Sequence, residues 1–318
     1  SSSNEKLLLF GEAIMTKDGK PHLTLVQRRL LDAHTDIVSR LWGEDFHLSF
    51  NHSFLCSVNL PYRNPGDDVR RVQTSSGSIT LRLEAGSVPT RDGGFKDIGL
   101  PYGARARLLL LHLCSEAVRT GSPVIEVRDS FTGFAKELGL SINGQSLKSL
   151  KNQVSRMSVV SMKLARQQEN FVDVFQGQLF SKLRAEFPKA PNQRTLWATH
   201  IEFNNDFYQS LKKHAVPLDT QAIAALKHSA RALDVYCWLA SRLYRVHPAK
   251  PVQLRWTTLR WQFGDPTQSM VSFKRRFKQA LEQVMFVYPA AAVETVYGGI
   301  ELRHSPPPVP FKEKGILG

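Results

Sequence analysis

From Ser269 to Val284 the chain reads SMVSFKRRFKQALEQV, and the apolar positions Phe273, Phe277, Ala280, Leu281 and Val284 return every three or four residues. At 100° per residue they form one stripe about 100° wide, which predicts a helix docked on a core through that face. Arg275, Lys278, Gln279 and Glu282 then point the opposite way, with Lys274 and Arg276 on the shoulders. The stretch QSLKSLKNQVSRM, Gln145 to Met157, repeats the design: Leu150, Val154 and Met157 face inward. The same wheel sends Gln145, Lys148, Ser149, Asn152 and Arg156 outward, and Lys151 adds a further cation.

The surroundings of these two helices also match. ARARLLLLHLCSEAVRTGSPVIEVRDSFTGFAKELGL (Ala104 to Leu140) and SARALDVYCWLASRLYRVHPAKPVQLRWTTLRWQFGD (Ser229 to Asp265) each open with an apolar helix. A Pro-marked turn at Pro123 or Pro251 follows, then a short strand (VIEV, VQLRW) and a second short helix stopped by Gly139 or Gly264. Alternating stretches close each copy: SVVSMKLARQ with NFVDVFQGQLF after the first, and VETVYGGIELR, with a hairpin signal at Gly298-Gly299, after the second. Helix, strand, helix, turn, helix and hairpin in that order form a winged helix-turn-helix, here as an internal repeat offset by about 125 residues. In that motif the third helix enters the DNA major groove. Arg275, Lys278 and Gln279 are then the base-edge candidates and Lys274 and Arg276 the phosphate candidates, while YGGIELRHS is either a wing that lays Arg303 near the minor groove or a plain structural hairpin.

Before the repeat, HLTLVQRRLLDAHTDIVSRLW reads as an amphipathic helix, FLCSVNLP as a strand, and VRRVQTSSGSITLRLEAG as a hairpin turning at SSGS. The C-terminal HSPPPVPFKEKGILG is Pro-rich and reads as extended or disordered.

Charge supports an acidic partner. The 318 residues carry a formal charge of +14, with a pI near 9.8 and 42% hydrophobic residues. Residues 1–99 hold 12 Lys+Arg against 12 Asp+Glu, residues 100–216 hold 16 against 9, and residues 217–318 hold 14 against 7. The two repeat copies thus share the excess equally, and no apolar run approaches a membrane span, so double-stranded DNA is the expected partner. Cys56, Cys114 and Cys237 are odd in number, far apart and in apolar surroundings, as free thiols of a reducing cytoplasm are. The apolar part of SSSNEKLLLF is too short for a secretory signal, and the missing Met reads as a trimmed start.

Enzymatic readings find little support. HSAR (His228 to Arg231) matches the His-x-x-Arg pair of tyrosine recombinases, with Tyr236 or Tyr244 as nucleophile, yet heptad-like spacing with Leu233, Cys237 and Leu243 explains both tyrosines as packing. His47 and His52 are five apart rather than flanking one apolar residue, no GxxxxGK[ST] loop occurs, and GDD at Gly66 to Asp68 lacks partner carboxylates. No cofactor or metal is expected, and the protein reads as a binder rather than an enzyme, with a transcriptional repressor as the alternative.

The runs LPYGARARLLLLHLCSEAVRTGSPVIEV, HAVPLDTQAIAALKHSARALDVYCWLA, VYPAAAVE and HSPPPVP resemble the plasmid-encoded RepA family of replication initiators, from about Phe54 to Pro310. The resemblance implies binding to direct repeats (iterons) at a plasmid origin, help in opening the duplex, recruitment of the host initiator and replicative helicase, and copy control through a homodimer. It implies no set of catalytic residues. The expected fold is α+β: two tandem winged helix-turn-helix domains, with an N-terminal α/β extension packed on the first. The expected boundaries are a tail at 1–20, the extension and first domain at 21–215, the second domain at 216–305, and a Pro-rich tail at 306–318.

Overall fold

The computed structural model describes residues 23–309 apart from 41–47, 91, 127–135, 137–138, 142, 168, 171, 187–196 and 266. The 1–20 tail and the second short helix of the first copy fall outside the described residues, except for Lys136 and Gly139 of the latter.

Helix α1 (Leu25–Ser39) starts at a capping box, in which Thr24 Oγ1 accepts from the Gln27 N–H at 3.2 Å and Gln27 Oε1 from the Thr24 N–H at 2.8 Å. Strand β1 (Leu48–His52) follows, then the hairpin β2 (Arg71–Ser76) and β3 (Ile79–Glu84), turning at Gly77 with φ +56° as SSGS predicts. FLCSVNLP is not a strand. After His52 the chain closes on itself, with Cys56 N–H donating to His52 O at 3.2 Å and Val58 N–H to Phe54 O at 3.0 Å. The curl turns Leu55, Cys56, Val58 and Leu60 all inward, which an extended strand cannot do. A small hairpin, β4 (Ser87–Pro89) and β5 (Phe95–Asp97), leads to the first repeat copy.

There α2 (Gly103–Thr120) buries Leu108 to Leu111, Leu113 and Cys114, and stops at Gly121 in the left-handed region, φ +65°. Strand β6 (Val124–Glu126) and α3 (Gly144–Val159) come next; Asn143 caps α3 by accepting the Ser146 N–H at 2.8 Å. Four strands follow: β7 (Ser161–Gln167), β8 (Val172–Gln178), β9 (Phe180–Glu186) and β10 (Trp197–Phe203). The alternating stretches β7 and β8 do pair, as expected, but they extend β2 and β3 into a sheet of order β2-β3-β7-β8. Register explains the choice, since Leu81 and Leu83 of β3 lie opposite Leu164 and Met162 of β7 and all four are buried. The sheet of the first copy is instead β6-β10-β9, closed by the later hairpin β9–β10.

The second copy is reached through α4 (Asn205–His214), β11 (Ala215–Asp219), which pairs with β1, and α5 (Thr220–Leu226). It comprises α6 (Ala230–Arg242), β12 (Val252–Arg255), α7 (Trp256–Phe263), α8 (Met270–Val287), β13 (Val293–Val296) and β14 (Gly299–Leu302). Its sheet order, β12-β14-β13, matches that of β6-β10-β9: first strand on last strand, middle strand outside. Val296 pairs with Gly299, so the turn is Tyr297-Gly298, with Gly298 at φ +84°. Gly299 is required too, because a Cβ there would collide with the Leu254 carbonyl of β12. Gly264 ends α7 without the left-handed twist, at φ −87°; glycine serves there because a Cβ would strike the Arg260 carbonyl.

Two expectations about the ends change. The N-terminal extension does not pack wholly on the first copy: α1 lies against α8 and α5 of the second half. Its contacts are specific, with His34 Nδ1 2.8 Å from Phe286 O, Arg29 Nε donating to Ala225 O at 2.7 Å, and Arg40 paired with Asp219 at 2.7 Å. An amphipathic stripe demands a partner without naming it. The Pro-rich segment is held down as far as residue 309: Tyr288 O–H donates to Pro306 O at 2.6 Å and Val309 is buried.

One buried ion pair ties the two copies together. Arg107 of α2 donates Nε to Asp234 Oδ1 and Nη2 to Asp234 Oδ2 of α6, both at 2.7 Å. Its remaining N–H groups go to Leu60 O at 2.6 Å, Pro61 O at 3.2 Å and Gly103 O at 2.9 Å, so all five donors are used. The Tyr62 ring lies 4.8 Å from the guanidinium carbon. Burial works against the guanidinium charge and the Asp234 carboxylate outweighs it, holding Arg107 above the ordinary arginine value. Arg107→Met strands a buried carboxylate and is expected to cost about 3–5 kcal/mol in urea denaturation.

His52 is enclosed between β1 and α4, its Nδ1 accepting the Phe54 N–H at 3.1 Å and its Nε2 2.9 Å from Ser210 Oγ. Burial, then His214 and Arg166, lower its pKa from 6.5 to about 3. Because the unfolded chain takes up this proton first, stability is intact above about pH 6.5 and falls by roughly 1.4 kcal/mol per pH unit as pH drops toward 3. His52→Asn is expected to flatten that part of the stability profile measured by thermal melts at stepped pH.

Candidate nucleic-acid interface

The register of α8 is set from below. Ser269 caps it by accepting the Ser272 N–H at 3.2 Å, and Phe273 and Phe277, both fully buried, meet the Trp256 ring of α7 edge-on at 6.5 and 6.0 Å. With that face anchored, Arg275, Lys278 and Gln279 are exposed and Lys274 and Arg276 half-buried, as the wheel predicts. The Lys274 and Lys278 ammonium groups each lie 5.8 Å from the Trp256 ring, their stems covering it while their charges reach water. Arg275, Arg276 and Lys278 make no ion pair with the described residues. Glu282 ends the strip, its carboxyl pushed up by burial against the pull of Lys278. Among the described residues the surface is thus a run of cations outnumbering its single carboxylate on a rigid helix, which favours a polyanion.

Helix α3 is a weaker version. Gln145, Lys148 and Asn152 are exposed and Ser149 and Lys151 half-buried, but Arg156 is not outward: it is 5% exposed. Its guanidinium donates to Asp67 Oδ1 at 2.8 Å, to Leu100 O at 3.1 Å and to Asn152 Oδ1 at 2.7 Å, and lies over the Tyr102 ring at 5.2 Å. Gly99 makes the room, since a Cβ there would meet the guanidinium. The wheel cannot see segments from 56 and 89 residues away closing over a flank position. Arg156 also ties up the Asn152 carbonyl oxygen.

Arg303 follows β14 at the base of the hairpin rather than at its tip, and is held by Glu301 at 2.9 Å and Glu294 at 3.5 Å. The tip is Tyr297, fully exposed. Val271 on α8 and Trp261 on α7, also strongly exposed, escaped the sequence reading, although Val271 falls on the outward side of the same wheel.

Of the residues weighed for strand transfer, His228 is exposed and Tyr244 half-buried, while Tyr236 and Arg231 are packed away. Tyr236 is fully buried, its phenol oxygen accepting the Asp219 N–H at 3.0 Å and its pKa held well above the usual value by burial. Arg231 is buried over the Tyr62 ring at 4.6 Å. His47 lies outside the described residues. Among the described residues no group of three His, Cys, Asp or Glu is placed to hold a metal, and no helix is long and apolar enough to cross a membrane.

A helix bearing free cations, seated on two others and followed by a hairpin, is the geometry with which helix-turn-helix proteins enter the major groove, and it defines a class of double-stranded DNA-binding proteins. The family model described as plasmid encoded RepA protein matches residues 100–262, from α2 through α7, and the chain belongs to that family. A crystal structure of selenomethionine derivatives of domains 2 and 3 of RctB is similar with a TM-score of 0.50 at 11% identity, over 79% of this chain and 98% of that one. A second crystal structure of RctB domains 2-3 gives 0.47 at 9% identity, over 78% and 94%. At such identities the likeness concerns the fold alone. No curated protein matches the chain.

Two substitutions separate surface from scaffold. Arg275→Ala is expected to weaken DNA binding by about 1–3 kcal/mol with an unchanged melting temperature. Arg156→Ala is expected to lower stability by about 1–3 kcal/mol through its stranded partners. Gel-shift titration and thermal melts of both variants check the contrast.

Proposed function

We propose that the protein is a plasmid replication initiator that binds direct repeats at its origin through two tandem winged-helix units, α8 supplying most of the affinity and α3 the remainder. The observation that carries this reading is the strip of cations on α8 that make no ion pair among the described residues, in a chain of the RepA family with a formal charge of +14. The equivalent sheet orders β6-β10-β9 and β12-β14-β13 support two winged-helix units in one chain. Because α3 and α8 present different side chains, the two half-sites differ in sequence, and such an asymmetric site suits head-to-tail repetition. The binding energy goes into distorting the duplex for opening, with the host initiator and replicative helicase as protein partners and a homodimer as the form that limits copy number. The protein does not cleave DNA: burial of Tyr236 supports a non-enzymatic role.

Footprinting on the DNA flanking the gene is expected to reveal tandem repeats in one direction; a single palindrome would instead indicate a dimeric repressor. Within one repeat the two units are expected to occupy successive major grooves about 10 to 10.5 bp apart. Inserting 5 bp between the halves, which rotates them to opposite faces, should then sharply weaken binding. Unchanged affinity would leave α8 as the single reader.

A further inference from the structure

Three large apolar side chains of the second copy stand in solvent, each on a different element. Trp261 on α7 is 81% exposed, Val271 in the first turn of α8 is 80% exposed, and Tyr297 at the β13–β14 turn is fully exposed. From α4 onward no other large hydrophobic side chain is exposed among the described residues. They are not overflow from the core, since α8 fills its buried stripe with Phe273, Phe277, Ala280, Leu281 and Val284. Val271 instead shares the outward strip with Arg275, four residues on, and Lys278, seven on. Whatever covers this strip has to satisfy an apolar side chain and two unpaired cations within two helical turns. Duplex DNA meets both demands, because thymine places an apolar C5-methyl group in the major groove beneath the phosphates.

Resting on the DNA-binding reading above, we propose that Val271 is a specificity-determining residue that packs on a thymine C5-methyl group, with Arg275 reading a neighbouring base edge one turn further along. The position within α8 fits, because the N-terminal residues of a recognition helix contact base edges. Glu282 fits as well: at the far end of the strip its carboxylate keeps the C-terminal half of the helix away from phosphates.

The test uses the full chain and a duplex selected by it from a randomised pool, with each thymine replaced in turn by deoxyuridine, which removes only the methyl group. At one position this replacement is expected to weaken wild-type binding about fourfold, the worth of one buried methyl-sized group. Val271→Ala should bind the unmodified duplex about equally weakly, lose nothing further at that deoxyuridine, and melt at the wild-type temperature because the side chain is exposed. Indifference of the wild type at every thymine, or undiminished sensitivity in Val271→Ala, would overturn the assignment and leave the apolar strip to a protein partner. A pool that yields no preferred sequence would instead sink the DNA-binding reading, and this inference with it.

Discussion

The pairing of Arg107 with Asp234 is the constraint on which the arrangement of the molecule depends. A guanidinium with all five N–H groups engaged, buried between α2 and α6, cannot be moved without taking donors from a buried carboxylate and from the Leu60 carbonyl. It therefore joins the first helix of one repeat copy to the first helix of the other and draws the 60–62 segment onto both. Around it the apolar core is continuous from Leu30 to Leu302, with α1 laid across the second half and β2–β3 joined to the first. The two copies are not beads on a linker.

A rigid junction has a functional consequence on the proposed reading. If α3 and α8 touch one duplex, their separation is a property of the folded chain, so half-site spacing is dictated by protein geometry rather than by linker length. The two helices are unequal partners in such a contact. On α8 the cations make no ion pair with the described residues, with Glu282 acting on Lys278 only at longer range, while on α3 Arg156 is spent on Asp67 and Leu100 and holds Asn152 as well. Charge that is neutralised inside the protein releases no counterions from DNA, so on the proposed reading the later copy would carry the larger electrostatic share.

Much of this was legible in the residues. Periodicity marked α3 and α8 with most of their inner faces, and apolar runs marked α2 and α6, because a helix in water must bury its apolar stripe whatever it packs against. Local turn chemistry marked the Gly77 and Gly298 hairpins, whose positive φ angles few other residues adopt. The outward set Arg275, Lys278 and Gln279 followed directly, since Phe273 and Phe277 fix the rotation of α8 through neighbours only a few residues distant.

What depended on distant chain was not legible. Alternation in β7 and β8 required partners, but only the matching of Met162 and Leu164 to Leu83 and Leu81 assigned them to β3. The stripe of α1 required a surface, and the Phe286 carbonyl and Asp219 supplied it from the far half of the chain. Arg156 looked like a free cation until Asp67 was brought beside it from 89 residues away, whereas Arg303 is held by its own hairpin through Glu301 and Glu294. A side chain's role as surface charge or internal tie is decided by which carboxylate arrives within about 4 Å, where the Coulomb term competes with hydration. Local periodicity determined the elements and their inner faces, whereas the tertiary fold alone decided which charges were left for a partner.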